Sequence, residues 1–232
     1  MDQDLSQYLV PTSIIDSDHE RVRDFARRAA AGATLPEEIA VRLYYAVRDT
    51  IRYDPYSPFY LPEHYRASFV LARERSFCVP KASLLCASAR AYGIPARVGF
   101  ATVRNHLSTK QLTEFMGSDI FVWHGFVELH LNGKWVKATP AFNRELCERH
   151  HVSPLEFNGR EDSLFQPYNL ENQKFMEYVG FHGIFADIPV DIIVAGWMKA
   201  YGEDRVRTWI KTFEEKGDGV FREFEKEEVW NG

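Results

Sequence analysis

The sequence predicts an α+β fold. Helical patterns stand at the beginning of the chain, an Asn132-Gly133 hairpin signal lies between two alternating runs in its middle, and helical patterns return after Pro189. At 232 residues and 45% hydrophobic, the chain is long enough to bury one substantial core. We expect a single domain over 1–232, with a core over about 18–145 and a helical C-terminal extension over about 155–232.

Two amphipathic helices are predicted before residue 54. The first covers 18–31, "DHERVRDFARRAAA", and Gly32 follows as a stop. The second covers about 36–53, with Pro36 in its first turn. The prolines of "DPYSPFYLP" then end the helical pattern, because proline cannot continue a helix. A short helical piece over about 68–73 leads to the next element.

A third long helix is predicted within "RSFCVPKASLLCASARAYGIPARVGF", residues 75–100. Proline is tolerated only near a helix start, so Pro80 indicates that the helix begins close to Cys78. The helix continues to Tyr92, and Gly93 suits a left-handed C-terminal cap. The alternating run "ARVGFATV" that follows is typical of a strand.

The hairpin fixes a register by counting. A two-residue Asn132-Gly133 turn pairs Leu131 with Lys134. Further expected pairs are His130 with Trp135, Glu128 with Lys137, Phe126 with Thr139, and His124 with Ala141. His124 then lies on the less apolar face of the strand, diagonal to Thr139. The segment 104–119 lies between the strand "ARVGFATV" and the first strand of the hairpin. It is expected to be either a lid over a site or a disordered link.

Charge and composition exclude several function classes. The chain has 28 basic and 33 acidic residues and no basic block, so nucleic acid is not expected as a partner. There is no run of about 18 apolar residues and no signal sequence, which predicts a cytoplasmic protein without a membrane partner. Three cysteines are too few for a disulfide framework, so we expect free thiols.

Two residues are candidates for chemistry. A thiol at a helix start meets unpaired N–H groups and a partial positive charge, which favour the thiolate of Cys78. The alternative is that Cys78 is only a small apolar residue at the start of a core helix. Cys86, eight residues further on, is expected to lie in the core. His124 is able to take the thiol proton if the fold brings it to Cys78. Otherwise it is a surface histidine.

The motifs together resemble a known family. "CVPKASLLCASARAYGIPARVGF", starting at Cys78, followed by "WHGFVELHLNGKWVKATP" from 123 to 140, is similar to the transglutaminase-like superfamily. The shared features are the cysteine, a helix ending in a Gly-Ile-Pro-Ala-Arg turn, a strand with the histidine and a following strand with a Lys-Trp-Val run. The resemblance covers about residues 70–143.

This resemblance implies a papain-like fold, in which the cysteine helix packs against an antiparallel sheet that supplies the histidine. It makes Cys78 the nucleophile and His124 the general base for attack on a peptide or protein amide, through a thioester. Neither a metal nor an organic cofactor is implied. We expect an amide or peptide hydrolase rather than a protein cross-linker, and the alternative is an inactive member that binds a peptide without cleaving it. The oligomeric state is left open.

The chain differs from the family pattern at the position that orients the histidine. Thr139 stands where the family has an aspartate, and a hydroxyl cannot supply the negative charge that stabilises an imidazolium. Asn143 is the best substitute, since papain-like enzymes orient their histidine with an amide. Asp119, Glu128 and Asp187 are weaker candidates. A second difference is Ser76, at a position where the family has glycine.

Two further histidine-containing stretches carry weaker hypotheses. "CERHH", residues 147–151, has metal-ligating side chains, but the sequence offers no second cluster at ligand spacing, so a metal-binding module is a remote alternative. His182, between two glycines, is expected in a turn or along a cleft.

Overall fold

The computed structural model of the protein describes residues 4–216 and 222–228. The α-helices in these ranges are α1 (Glu20–Ala29), α2 (Pro36–Thr50), α3 (Ala67–Arg73), α4 (Cys78–Ala91), α5 (Lys110–Met116), α6 (Arg144–Arg149), α7 (Val190–Tyr201) and α8 (Glu203–Lys216). The strands are β1 (Arg52–Tyr53), β2 (Arg75–Ser76), β3 (Ala96–Asn105), β4 (Ile120–Leu131), β5 (Lys134–Ala138) and β6 (Met176–Phe185). Short 3₁₀ helices lie at Ser6–Tyr8, Pro62–Tyr65 and Phe224–Lys226.

The main sheet of the described chain is antiparallel, with strand order β5-β4-β3-β6, and β1 and β2 form a separate parallel pair. Helix α4 lies against β4 and β3, and α1, α2 and α3 pack around α4. Every residue of α4 from Val79 to Arg90 is buried. The predicted α+β class is therefore confirmed, with N-terminal helices packed on an antiparallel sheet and α4 at the centre of the core.

The predicted helices agree with the structure except at their ends. The helix expected over 36–53 ends at Thr50, because Arg52 and Tyr53 pair in parallel with Arg75 and Ser76. The two helical patterns predicted after Pro189 are α7 and α8. In the part of the chain that the structure describes, no helix combines the length and apolar character needed to cross a bilayer.

The hairpin register is confirmed close to the turn and is wrong further from it. Leu131 pairs with Lys134, His130 with Trp135 and Glu128 with Lys137, as predicted. The ladder ends at Val127 and Ala138, so the predicted pairs Phe126–Thr139 and His124–Ala141 do not form. The cause is local: β5 ends just before Thr139-Pro140, and β4 has an irregular pairing with β3 beside Trp123, whose φ is +61°.

The C-terminal part is not helical throughout, which corrects the predicted helical extension. Met176–Phe185 is the strand β6, and it pairs with β3 at the edge of the main sheet. His182 lies in this strand, not in a turn. The strand is hard to recognise because residues 177–181 are all exposed and glycines interrupt its alternation. The assignment of the whole chain to a single domain stays a prediction.

The segment 104–119 is an ordered connection, so the alternative of a disordered link is wrong. It contains α5, and Thr109 caps the start of this helix, because its hydroxyl accepts a hydrogen bond from the Leu112 N–H at 3.0 Å. Gly117 ends the helix with φ +68°, a left-handed conformation that glycine adopts without strain.

A buried lysine links α4 to α2. The Lys81 side chain is fully buried, and its ammonium donates hydrogen bonds to the backbone carbonyls of Arg48, at 2.9 Å, and Ile51. These carbonyls belong to the end of α2, where a helix leaves acceptors without partners. Burial lowers the pKa of Lys81 to about 7. The contact holds the first turn of α4 in a fixed position relative to α2.

The first turn of α4 also lies directly on β4 at a glycine. A Cβ added to Gly125 would lie 2.9 Å from the Cα of Val79, closer than the 3.0 Å that real Cβ atoms respect. The obstructing atom is backbone, so it cannot move aside as a flexible side chain does. Only glycine therefore permits this approach of helix and strand.

We expect Gly125→Ala to destabilise the protein by about 1–3 kcal/mol, the usual cost of overpacking a core. The added methyl group forces α4 away from β4. At about 2–4 °C per kcal/mol for a chain of this size, the shift in Tm is readily measured by circular dichroism. Gly180→Ala in β6 is the matched control, since its added Cβ meets Thr102 Cβ at an ordinary 3.9 Å. A Gly125→Ala protein with the Tm of the wild type would contradict this account of the contact.

Candidate active site

Cys78 is the first residue of α4 and is half-buried. Phe77 precedes it in an extended conformation, and the first turn of the helix contains no acidic residue. The backbone N–H groups of Gly125, Val79 and Cys78 itself are directed at the sulfur and favour its thiolate form. The sequence prediction of a thiol at a helix start is therefore matched by the structure.

His124 precedes Gly125 in β4 and is buried, with 5% of its surface exposed. It is therefore not the surface histidine of the alternative interpretation. Its ring packs against Phe165, with ring centroids 5.0 Å apart. Nε2 of His124 is buried and makes no hydrogen bond with any described residue. Cys78 and His124 line the same cavity, because α4 lies on β4 at the residue next to His124.

Burial controls the charge of both groups. It raises the pKa of the Cys78 thiol to about 11, although the three N–H groups and the Lys81 ammonium act in the opposite direction. It lowers the pKa of His124 to about 3. In this conformation the effect of burial on the thiol therefore exceeds that of the helix start. At neutral pH the pair consists of a thiol and an uncharged imidazole.

Thr139 lies just beyond the end of β5 and is 1% exposed. Its carbonyl accepts a hydrogen bond from the Tyr44 hydroxyl at 3.2 Å. Its own hydroxyl is buried and, among the described residues, has no hydrogen-bond partner of standard geometry. The Tyr178 hydroxyl lies near it and accepts the Phe165 N–H at 3.4 Å. Since Tyr178 belongs to β6, the sequence analysis missed this neighbour together with the strand.

The structure does not bring the Asn143 amide to His124. Asn143 lies at the start of α6, where its Oδ1 accepts the Tyr53 N–H at 3.1 Å and its Nδ2 donates to Glu145 at 2.9 Å. Both ends of the amide are therefore used to hold the loop after β5 against β1. This is the physical reason why the predicted substitution of Asn143 for the family aspartate finds no support in the geometry.

The weaker carboxylate candidates also have other partners. Asp119 forms an ion pair with Arg104 at 3.2 Å, and Glu128 forms one with Arg97 at 2.6 Å. Asp187 accepts the N–H of the neighbouring Ile188 at 2.9 Å. The described structure places none of these carboxylates in the wall of the cavity.

The cavity at Cys78 has a volume of about 100 Å³. Much of its wall is aromatic and comes from distant parts of the chain. Its outer wall includes Phe115 and Met116 of α5, Trp197 and Tyr201 of α7, and Trp209 and Phe213 of α8. Sequence reasoning missed these residues, because each of them fits an ordinary amphipathic helix and only the tertiary fold brings them together.

The described C-terminal segment 222–228 completes this wall. Phe224 lines the cavity, and its ring packs against Tyr53 with centroids 5.8 Å apart. The buried Glu227 carboxylate accepts hydrogen bonds from the hydroxyls of Tyr56, at 2.8 Å, and Thr109, at 2.6 Å. The segment is thereby joined to the loop after β1 and to the start of α5.

The other histidine hypotheses find no support. In the described ranges, no group of three or more His, Cys, Asp or Glu side chains is arranged to hold a metal ion. Within "CERHH", His150 lines the cavity and stacks on Phe224, with centroids 6.1 Å apart. His182 stacks on Trp123 at 4.5 Å and shares a 2.8 Å hydrogen bond with Thr102.

The fold and site together define a class of protein. A cysteine opens a buried helix, the helix lies on an antiparallel sheet, and a histidine from that sheet reaches the same cavity. The family model of the transglutaminase-like superfamily matches residues 23–140, which is half of the chain and includes both side chains. The protein belongs to the transglutaminase-like superfamily.

A comparison with solved structures gives a more distant similarity. The chain is similar to a protein from Cytophaga hutchinsonii described as a candidate cysteine protease, with a TM-score of 0.46 and 16% sequence identity. The match covers 79% of this chain and 55% of that chain, so the protein spans about half the length of the solved structure. The search of curated proteins gave no match.

The buried His124 predicts a pH-dependent stability. Its folded pKa of about 3 lies below the ordinary value of about 6.5, so between these values the unfolded chain binds a proton that the folded chain does not. The contribution of the neutral, buried His124 to the free energy of unfolding is fully present above pH 6.5. It is lost as pH falls towards 3, by at most about 1.4 kcal/mol per pH unit. We expect urea unfolding at pH 7, 6 and 5 to show that the free energy of unfolding falls less with pH in His124→Gln than in the wild type.

The matched control is His151→Asn. His151 is exposed and has φ +52°, a conformation that asparagine tolerates. This variant is expected to keep the pH dependence of the wild type. Equal pH dependence in His124→Gln and wild type would show that His124 is not held neutral by burial.

Proposed function

We propose that the protein is a cysteine-dependent amide or peptide hydrolase in which Cys78 is the nucleophile and His124 the general base. The single observation that carries the proposal is the placement of both side chains in one cavity by the contact of α4 with β4. Membership of the transglutaminase-like superfamily supports it, since the matched residues include both positions. The proposed substrate is a peptide or protein amide.

In the proposed first step, the Cys78 sulfur attacks the amide carbonyl carbon while His124 takes the thiol proton. A C–S bond forms and the carbonyl oxygen becomes an oxyanion. His124 then returns the proton to the leaving nitrogen, the C–N bond breaks, and an amine leaves a thioester on Cys78. Water, deprotonated by His124, releases the acid and restores the thiol. An amine in place of water gives a new amide.

The charges in the cavity favour general-base catalysis over a preformed ion pair. With a pKa of about 11 for Cys78 and about 3 for His124, both groups are neutral before the reaction. The proton therefore moves as the sulfur attacks. Nε2 of His124 is buried and has no hydrogen-bond partner among the described residues. We therefore assign proton transfer to Nδ1, the other ring nitrogen. We assign the orientation of the ring to the groups that surround Nε2.

The proposed oxyanion site is the backbone N–H of Cys78 at the start of α4, where helix N–H groups have no intrahelical acceptor. A tyrosine hydroxyl is a candidate for the second donor, and of Tyr53 and Tyr56 the contacts favour Tyr53. Tyr53 lines the cavity, whereas the Tyr56 hydroxyl donates to Glu227 at 2.8 Å.

For the positioning residue we retain Thr139. Its buried hydroxyl and the buried Nε2 of His124 are both without partners of standard geometry, and the Asn143 amide is used elsewhere. A hydroxyl can accept a hydrogen bond from Nε2–H and fix the tautomer, but it adds no negative charge. We infer a weaker base than one supported by an aspartate.

Acylation of Cys78 tests the proposal directly. With p-nitrophenyl acetate, the wild type is expected to release nitrophenol and to carry an acetyl thioester on Cys78, located by mass spectrometry. His124→Gln is expected to slow acylation by about 10²–10⁴-fold, the usual contribution of a general base.

Cys147→Ala is the matched control, since Cys147 is a second buried thiol in the same cavity. It is expected to leave acylation intact, whereas Cys78→Ala abolishes it. A label on Cys147, or an unchanged rate in His124→Gln, would contradict the assigned roles.

The role of Thr139 has its own test. Thr139→Val removes the hydroxyl at nearly constant volume, and Thr139→Ser retains it. We expect the valine variant to lose at least about 10-fold in acylation rate and to change its pH profile, while the serine variant stays close to the wild type. Equal losses in both variants would assign Thr139 to packing alone.

The second candidate function is that of an inactive family member that binds a peptide. The neutral thiol and the threonine in place of the aspartate favour it. It predicts that p-nitrophenyl acetate leaves Cys78 unmodified and that peptides bind without being cleaved.

A further inference from the structure

We infer that the cavity beside Cys78 is an acyl pocket that accepts an uncharged, apolar group attached to the reacting carbonyl. The inference rests on the proposed function and adds the chemical class of the substrate. It depends on the charge of the wall, its aromatic composition and its volume.

The described part of the wall carries no fully charged side chain. Among the described residues that line the cavity, none is Asp, Glu, Lys or Arg. The two histidines in the wall, His124 and His150, have their pKa values lowered by burial to about 3 and about 4. Both are therefore neutral at pH 7. A carboxylate or ammonium group that entered would lose its hydration without meeting a side chain of opposite charge among the described residues that line the cavity.

Much of the cavity wall consists of packed aromatic rings. Phe115 of α5 stacks on Trp209 of α8, with centroids 4.7 Å apart and planes at 16°. Phe59 packs on Trp197 of α7, with centroids 4.8 Å apart. Rings held against one another form a preformed apolar surface, which is the usual construction of a small-molecule site.

The volume sets the size of the group. A cavity of about 100 Å³ is smaller than the roughly 150 Å³ of an apolar cavity that admits benzene. A short aliphatic acyl chain therefore fits the space as it stands. Cys78 lines the cavity. We therefore place the carbonyl of a chain that occupies it beside the sulfur.

The experiment compares two p-nitrophenyl esters of similar length, the butyrate and the hemisuccinate, which differ in charge. Each rate of Cys78 acylation is corrected for hydrolysis of the ester in buffer, which the carboxylate of the hemisuccinate accelerates, and is then divided by the rate of the same ester with glutathione, so that intrinsic reactivity towards thiols cancels. We expect a preference for the butyrate of at least about 100-fold. Equal normalised rates would overturn the inference and leave the assignment of Cys78 and His124 untouched.

A pair of methionine variants places the selectivity in this cavity. Met116, on α5, lines the cavity, whereas Met198, on α7, is similarly half-buried but does not line it. Met116→Lys is expected to reduce the preference to about 10-fold or less, because the added ammonium attracts the hemisuccinate. Met198→Lys is expected to retain the preference of the wild type. A loss of preference in both variants, or in neither, would contradict the location.

A binding measurement in a variant that cannot form the thioester tests the inference independently of the proposed function. In Cys78→Ala, calorimetric titration with butyryl p-nitroanilide and succinyl p-nitroanilide measures selectivity where no thioester forms. Tighter binding of the butyryl compound supports the apolar pocket even where Cys78 proves unreactive. Equal affinities, or no binding of either compound, would overturn it.

Discussion

The structure depends on one close contact, that of the first turn of α4 with Gly125 of β4. The absence of a side chain on Gly125 lets the backbone of Val79 lie against the strand, and Lys81 holds the same turn to the end of α2. The residue before Val79 is Cys78 and the residue before Gly125 is His124, so a contact made for packing places a thiol and an imidazole in one cavity. The candidate site thus follows from how closely a helix and a strand can approach.

Two opposing effects act on the thiol, and burial is the stronger. The helix start and three N–H groups favour the thiolate, but removal from water raises the pKa of Cys78 to about 11. The same low-polarity surroundings keep His124 uncharged. A neutral pair costs less to bury than an ion pair, which explains how the cavity wall can be so largely aromatic. The proposed chemistry generates its charges during the reaction, beside backbone donors that are already in place.

Local signals in the sequence predicted those parts of the fold that are determined locally. Pro80 located the start of α4, and the Asn132-Gly133 turn gave the register of the hairpin as far as Ala138. The strand β6 was missed, since an exposed edge strand with interrupting glycines has little hydrophobic alternation. The partners of Asn143 and the aromatic wall of the cavity could not be predicted, because both depend on segments that are far apart in the chain. The helix start and the hairpin singled out Cys78 and His124, and the transglutaminase-like resemblance supplied the roles that we propose for them.

The division of the cavity between elements has a consequence for how the protein can diverge. The thiol and the imidazole stand on α4 and β4, inside the core, whereas the outer wall comes from α5, α7, α8 and the segment 222–228. Substitutions of the lining side chains in those outer elements change which group fits, whereas the close contact at Gly125 is made by α4 and β4 themselves. Relatives can therefore differ in the group that fits the cavity, through substitutions at its periphery, while the helix–strand contact stays the same.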